Sequence, residues 1–332
     1  MIERKMSVTR RMMLAGIAVC AFGFEGPAQA QTSLKVMVFP SLANLPIYVA
    51  DRKGFYTERG LAVEVLHTPN SDVLRNGLAK GDHQIVHAAV DNAVAMAEVA
   101  KVDIVVFLGG DGGWNSLFVR PEIQSYDEIR GKTVGVDAPD TAYALLLYKM
   151  LDLKGVKQGE YQVKPIGGTH QRIDAMLNDK SIVASMLNAP FSIRAEREGL
   201  KNFGQAVAVT GPYQAGAAWT LRPWAQANGD TLTKYIQAHV KALRWALTPE
   251  NKAEASAILA ERLRVTSDVA ARAYEMGLDP NDGFAKDAKL NLEGFTNVLK
   301  LRAETLGTWG GAPPSPSKYL DMSYFERALA GL

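Results

Sequence analysis

Two histidines four residues apart, His83 and His87, have the spacing at which a helix holds zinc. They fall at a stretch, Gln84–Val90, that reads as a strand, where positions four apart lie about 13 Å from each other. A metal pair is therefore not expected. Gly109-Gly110-Asp111-Gly112-Gly113 follows a strand, as a phosphate loop does. It lacks the Lys-Ser/Thr end and runs into another strand rather than a helix, so it reads as a flexible loop. There is no Gly-x-Ser-x-Gly elbow and no His-Glu-x-x-His. No Ser/His/Asp set is identifiable from spacing. Cys20 is the only cysteine, so a chain trimmed after residue 30 has neither a disulfide nor a thiol nucleophile. No catalytic group, cofactor or metal is expected.

The better candidates are loops at strand ends, where open α/β sheets bind ligands. Phe39–Asn44, with Leu42 and Asn44, ends the first strand. Asp91-Asn92 ends another and starts a helix. Trp114-Asn115 follows the glycine loop. Asp137–Tyr143 ends a strand and opens a helix, and offers Asp140, Thr141 and Tyr143. Gly167–His170 and Asn188-Ala189-Pro190 do likewise. Asp140, Thr141, Thr169 and Asn188 also suit helix caps, and Trp114 and Tyr143 also suit packing. The roles are compatible, because a capped helix N-terminus still presents N–H groups to an anion. These loops contain Asp91, Asp111, Asp137 and Asp140 but no lysine or arginine. An anion would rely on backbone N–H groups and Thr141. A nitrogen heterocycle would use the acids and stack on the aromatics.

Alternating strands and helices must position these loops. Leu34–Phe39, Leu61–Leu66, Gln84–Val90 and Ile104–Leu108 read as strands between helices at 45–53, 71–79 and 91–100. The pattern restarts at 120–220, with strands at Tyr161–Ile166 and Ile182–Leu187 and helices at 141–151, 171–178 and 190–198. Residues 223–309 read as helical, with apolar periodicity at Tyr235, Ile236, His239, Val240 and Leu243. Leu117-Phe118-Val119-Arg120-Pro121 and Trp219-Thr220-Leu221-Arg222-Pro223 bracket the second zone. Each reads as a short strand stopped by proline, and the pair reads as strands that cross between two lobes. The expected division is residues 1–30 as an export signal, 32–118 plus 222–332 as lobe one, and 119–221 as lobe two.

The export signal is read from Arg4, Lys5, Arg10 and Arg11, the apolar run Met12–Phe24, and the small-x-small site Ala28-Gln29-Ala30. Thr9-Arg10-Arg11-Met12-Met13-Leu14 fits a twin-arginine signal, and an ordinary Sec signal fits as well. Val19 is too bulky for a lipoprotein site at Cys20. The formal charge of the chain is +2. It falls to zero without residues 1–30, which carry those four cations against Glu3 and Glu25. Nothing in that balance points to nucleic acid.

Residues 45–65 carry a Pro46-Ile47-Tyr48-Val49-Ala50 stretch, a Lys53-Gly54-Phe55-Tyr56 turn and a Gly60-Leu61-Ala62-Val63 strand, in that order. Asn44 is placed to cap the helix, and Gly54 supplies its left-handed stop. The segment resembles the periplasmic solute-binding proteins of the nitrate/sulfonate/taurine class, which includes the thiamine-precursor binders. Arg130-Gly131-Lys132-Thr133-Val134-Gly135 and the tail Lys318–Phe325 resemble the same class. Gln84 stands where the class often has an acid, and the matching place near Ser181 also lacks it. The resemblance implies a two-lobed α/β binding fold with hinge-crossing strands. It also implies a periplasmic monomer that passes a small-molecule ligand to an ABC permease and its ATPase. It implies a small organic anion, such as a sulfonate or carboxylate, as ligand, with a pyrimidine or thiamine precursor as the alternative. An enzyme on the same fold, such as a pyrimidine synthase, is the competing class. The known synthases carry a cysteine-rich segment, and the trimmed chain has no cysteine. A sensor subunit is a further reading.

Overall fold

The structure, a computed structural model, describes Met1 and residues 31–332. The expected export signal, with Cys20 and Ala28-Gln29-Ala30, lies outside the described residues. The strands are β1 (Thr32–Val38), β2 (Leu61–His67), β3 (Ile85–Ala89), β4 (Ile104–Leu108), β5 (Ser116–Val119), β6 (Thr133–Val136), β7 (Gln162–Pro165), β8 (Ile182–Leu187), β9 (Lys201–Gln205) and β10 (Gly216–Leu221). They form two five-stranded sheets, ordered β2-β1-β3-β10-β4 and β7-β6-β8-β5-β9.

The helices in chain order are α1 (Leu45–Arg52), α2 (Ser71–Lys80), α3 (Asp91–Glu98), α4 (Ala142–Leu153), α5 (Thr169–Asn178), α6 (Phe191–Arg197) and α7 (Val207–Thr210). They continue as α8 (Arg222–Ala227), α9 (Gly229–Leu247), α10 (Lys252–Leu263), α11 (Ser267–Gly277), α12 (Leu292–Leu306) and α13 (Ser323–Ala330). The α/β class and the two-sheet architecture are as expected.

Local sequence explains the first sheet. Leu34, Val36 and Val38 alternate inward along β1 and are buried. β1 pairs in parallel with β2 from Thr32↔Leu61 to Val38↔His67. Pro46 sits in the first turn of α1, where no N–H is needed. Gly54 and Gly60 take φ of +73° and +70°, which let the chain reverse twice before β2. Asn70 caps α2, its side chain accepting from the Val73 N–H at 2.9 Å. On α9, Tyr235, Ile236, His239, Val240 and Leu243 are all buried, and the helix packs on α1.

Two expectations about the crossings change. Ser116–Val119 pairs on both edges within the second sheet, with β8 and β9. Gly216–Leu221 pairs on both edges within the first sheet, with β3 and β4. The chain thus passes from one sheet to the other in the loop 109–115 and in the segment 206–215, which includes the short α7. The boundaries expected at 118/119 and 221/222 lie earlier in the chain, because proline ends each strand without marking the crossing. The halves are also joined by shared packing. One apolar cluster joins Val86, Val106 and Trp219 of the first sheet to Leu117, Val134 and Val136 of the second, with Phe295 and Leu299 of α12. The strand Lys201–Gln205 was not expected.

Candidate functional site

A cleft lies between the two sheets. Much of its wall comes from the residues that follow β1, β3, β4, β6, β7 and β8, at the carboxyl ends of those strands, and the rest from α2, β3, β10, α9 and the segment 284–288. Asn44, Asn92, Trp114, Thr141, Tyr143 and Asn188 line it.

Of the other expected residues, Leu42 is buried in the core and gives the cleft no side chain. Asp91 is committed to Arg302, which donates to its two oxygens at 2.7 and 2.9 Å. Asp140 pairs with Arg75 at 3.2 Å. His170 packs against Phe191 with ring centroids 5.8 Å apart. Asn115 is buried behind the wall, its carbonyl accepting the Ala206 N–H at 2.9 Å. None of these five lines the cleft.

The capping roles are also displaced. Asn44 makes no cap. Its amide donates to the Phe39 carbonyl and to Tyr48 Oη at 3.3 Å, which pins the loop after β1. Thr141 makes no side-chain cap either, and its hydroxyl donates to the Ala138 carbonyl at 2.8 Å.

A polar chain runs along the second half's wall. Arg172 donates from Nη2 to Thr169 Oγ1 at 3.2 Å, and Thr169 donates to Asn188 Oδ1 at 2.8 Å. Asn188 Nδ2 stands 3.5 Å from Tyr143 Oη, a long contact. All four line the cleft. Burial pushes the Tyr143 hydroxyl up to about 12, outweighing a contact with Asn115, so it keeps its proton.

Arg172 is the main departure from the sequence reading. It is 2% exposed. Its other contacts are Ser185 Oγ at 3.0 Å, the Met186 carbonyl at 3.0 Å and the Gly167 carbonyl. Among the described residues no carboxylate pairs with it. Burial penalises the cation and lowers its pKa, and the nearby charge of Asp137, itself bonded to Ser71, offsets part of that penalty. Nothing in the sequence singles it out, because it lies inside α5, three residues past Thr169 on the same face, and not in a strand-end loop.

Asp111, His87 and His239 also line the cleft from the first half. Asp111 and nearby Asp282 are both buried, and burial pushes each to about 7, with Asp282 adding a like charge to Asp111. His87 and His239 stack at 5.0 Å, and Tyr235 Oη lies 2.8 Å from His87 Nε2. Burial lowers His239 to about 4 and His87 well below its usual value, so both rings are neutral near pH 7.

The two sides touch directly around the cleft. Ser71 bonds Asp137. The Gly168 N–H donates to the Pro69 carbonyl at 3.1 Å, and the Leu42 N–H to the Ala189 carbonyl at 3.1 Å. Arg272 pairs with Glu196 at 2.6 Å, and Arg197 with Asp268. A charged contact made among buried groups such as Ser71 and Asp137 is stronger than one in water.

A family model described as NMT1-like matches residues 27–260, including the segment 45–65. No curated protein matches the chain. Among solved structures, a protein of Bordetella bronchiseptica RB50 superposes with a TM-score of 0.79 at 18% identity, covering 91% of this chain and 98% of its own. The periplasmic nitrate-binding protein NrtA of Synechocystis PCC 6803 gives 0.75 at 14% identity, covering 91% and 89%. The alkanesulfonate-binding protein of Xanthomonas axonopodis pv. citri, bound to MOPS, gives 0.69 at 14% identity, covering 89% and 99%. At these identities the likeness is one of fold.

Proposed function

The chain belongs to the NMT1-like family, and from that premise we propose that it is the periplasmic solute-binding component of an ABC importer. It captures a small organic anion, such as a sulfonate or carboxylate, between its halves and delivers it to a membrane permease driven by an ATPase. It works as a monomer. The connecting segments 109–115 and 206–215 serve as the hinge.

The observation that carries this reading is Arg172, a buried cation on the cleft wall that forms no ion pair among the described residues, its burial offset only in part by the nearby charge of Asp137. An incoming anion supplies a direct charged partner. Tyr143 and Thr169, tied to the same chain of hydrogen bonds, orient it. The nitrogen-heterocycle alternative loses its support. Of the four acids the loops offered, Asp91 and Asp140 are paired with arginines. Asp137 holds Ser71. Asp111 is pushed up to about 7 and carries little charge below that pH. The nitrate- and alkanesulfonate-binding structures that share the fold bind anions, in line with this choice.

A thermal-shift screen of sulfonates, carboxylates and pyrimidines tests the reading. Ligand at 100 times its Kd adds about 2.7 kcal/mol of stability. Stabilisation by anions is expected, and stabilisation by pyrimidines alone overturns the ligand class.

A further inference from the structure

The cavity wall extends beyond the polar residues that would meet a small anion. Besides the polar wall around Arg172, the cavity is bounded by Pro46 on α1, His87 on β3, His239 and Leu243 on α9, and Ala288. All five belong to the first half, and Leu243 and Ala288 are members of its core. The cavity therefore continues from the cleft into the body of that half.

We propose that this inner arm is a second subsite, and that the ligand is a monoanion whose ring or short chain enters the arm and ends in an uncharged hydrogen-bonding atom. The proposal rests on the anion reading above and specifies the ligand class.

Three observations carry it. The arm's walls are largely apolar, so a chain or ring placed there leaves water. His239 is 3% exposed, and its Nδ1 has no hydrogen-bond partner among the described residues. A buried polar atom left in that state is destabilising unless something meets it. Asn92, also on the cavity wall and 3% exposed, has an unpartnered Oδ1 as well. Tyr235 bonds His87 and packs beside His239, and Tyr56 stacks on Tyr235 at 5.4 Å. Neither carries charge near neutral pH, because burial pushes both hydroxyls upward. A neutral imidazole in apolar surroundings accepts from or donates to a hydroxyl or amide. It does not compensate a second carboxylate, so dianions are disfavoured.

The test is calorimetry with defined probes: acetate, butyrate, hexanoate, benzoate, 4-hydroxybenzoate, terephthalate, and methane- and hexanesulfonate. Affinity should rise from acetate to hexanoate by roughly fourfold per buried methylene. 4-Hydroxybenzoate should bind about tenfold more tightly than benzoate, and the dianion terephthalate more weakly than either. In His239→Leu the ratio of 4-hydroxybenzoate to benzoate should fall to about one. His239→Gln, which restores an amide, should keep part of it and guards against misfolding of the first variant. Equal affinity along the carboxylate series, or an unchanged ratio in His239→Leu, overturns the subsite and leaves the anion reading standing. No binding by any probe overturns both.

Discussion

Arg302 and Asp91 form a bidentate ion pair in which both side chains are 1% exposed. The same guanidinium donates at 2.8 Å to the carbonyl of Asp140, in the loop after β6. One residue of α12 thus ties the start of α3 to the opposite half. Asp91 is a structural acid rather than a ligand contact. Breaking one side of such a pair costs about 3–5 kcal/mol. Asp91→Asn and Arg302→Met should each lose that much in urea unfolding. The affinity of the folded Asp91→Asn protein should change little, and a large affinity loss without a stability loss would return Asp91 to the binding site.

The carboxyls of Asp111 and Asp282 make a pH prediction with a definite sign. Their folded pKa values, about 7, lie above the ordinary carboxylate value. The folded state binds more protons than the unfolded one between about pH 4 and 7, so their contribution to stability falls as pH rises through that window. The slope is at most about 1.4 kcal/mol per pH unit for each group. His239, lowered to about 4, works in the opposite direction below its unfolded value, so the wild-type profile mixes both. The difference between Asp111→Asn and wild type isolates the acid. That variant should gain on wild type as pH rises from 4 to 7. A difference that is flat with pH rules out the raised carboxyl.

Arg75 reaches across the cleft from α2 to Asp140 at 3.2 Å and also pairs with Asp72. Partly exposed pairs contribute about 0.2–1 kcal/mol. Arg75→Ala should therefore shift the opening equilibrium by no more than about fivefold. The radius of gyration of the ligand-free protein should rise, with a matching loss of affinity. An unchanged radius would mean that the contact does not hold the halves together.

Trp114 lines the cleft, yet its indole N–H donates to the Met276 carbonyl at 2.8 Å and its ring meets Phe284 edge-on at 5.1 Å. Its φ of +48° is in the left-handed region, which is uncommon for a bulky residue. Trp114→Ala should lower stability by about 3–5 kcal/mol and affinity by roughly 1–3 kcal/mol. Loss of stability alone would assign the ring to packing. Thr141→Ala should weaken affinity by about 1 kcal/mol.

Where local chemistry decides, the fold was readable. Pro46, Gly54 and Gly60 place α1, its stop and the following strand. The buried face of α9 follows its apolar period. The strand Lys201-Asn202-Phe203-Gly204-Gln205 escaped because it has one apolar residue and no alternation, and it exists by pairing with β5. The strand-end loops do border the cleft, but the sequence does not show what their acids pair with. The partners of Asp91 and Asp140, Arg302 and Arg75, lie far away in sequence, and no spacing rule reaches them. His239 sits on the core face of its helix, and only packing shows that this face also meets a cavity.

The central claim is that Arg172 recognises the charge of an anion, and one measurement tests it most directly. The best anion from the thermal screen is titrated calorimetrically into wild type and into Arg172→Gln, with unfolding followed in parallel. A charge-assisted hydrogen bond of about 1.5–3 kcal/mol should be lost, weakening binding by roughly tenfold to a hundredfold in protein that is still folded. If Arg172→Gln binds the anion as tightly as wild type does, Arg172 is only a buttress for Thr169 and the loop at Gly167, and the account is contradicted.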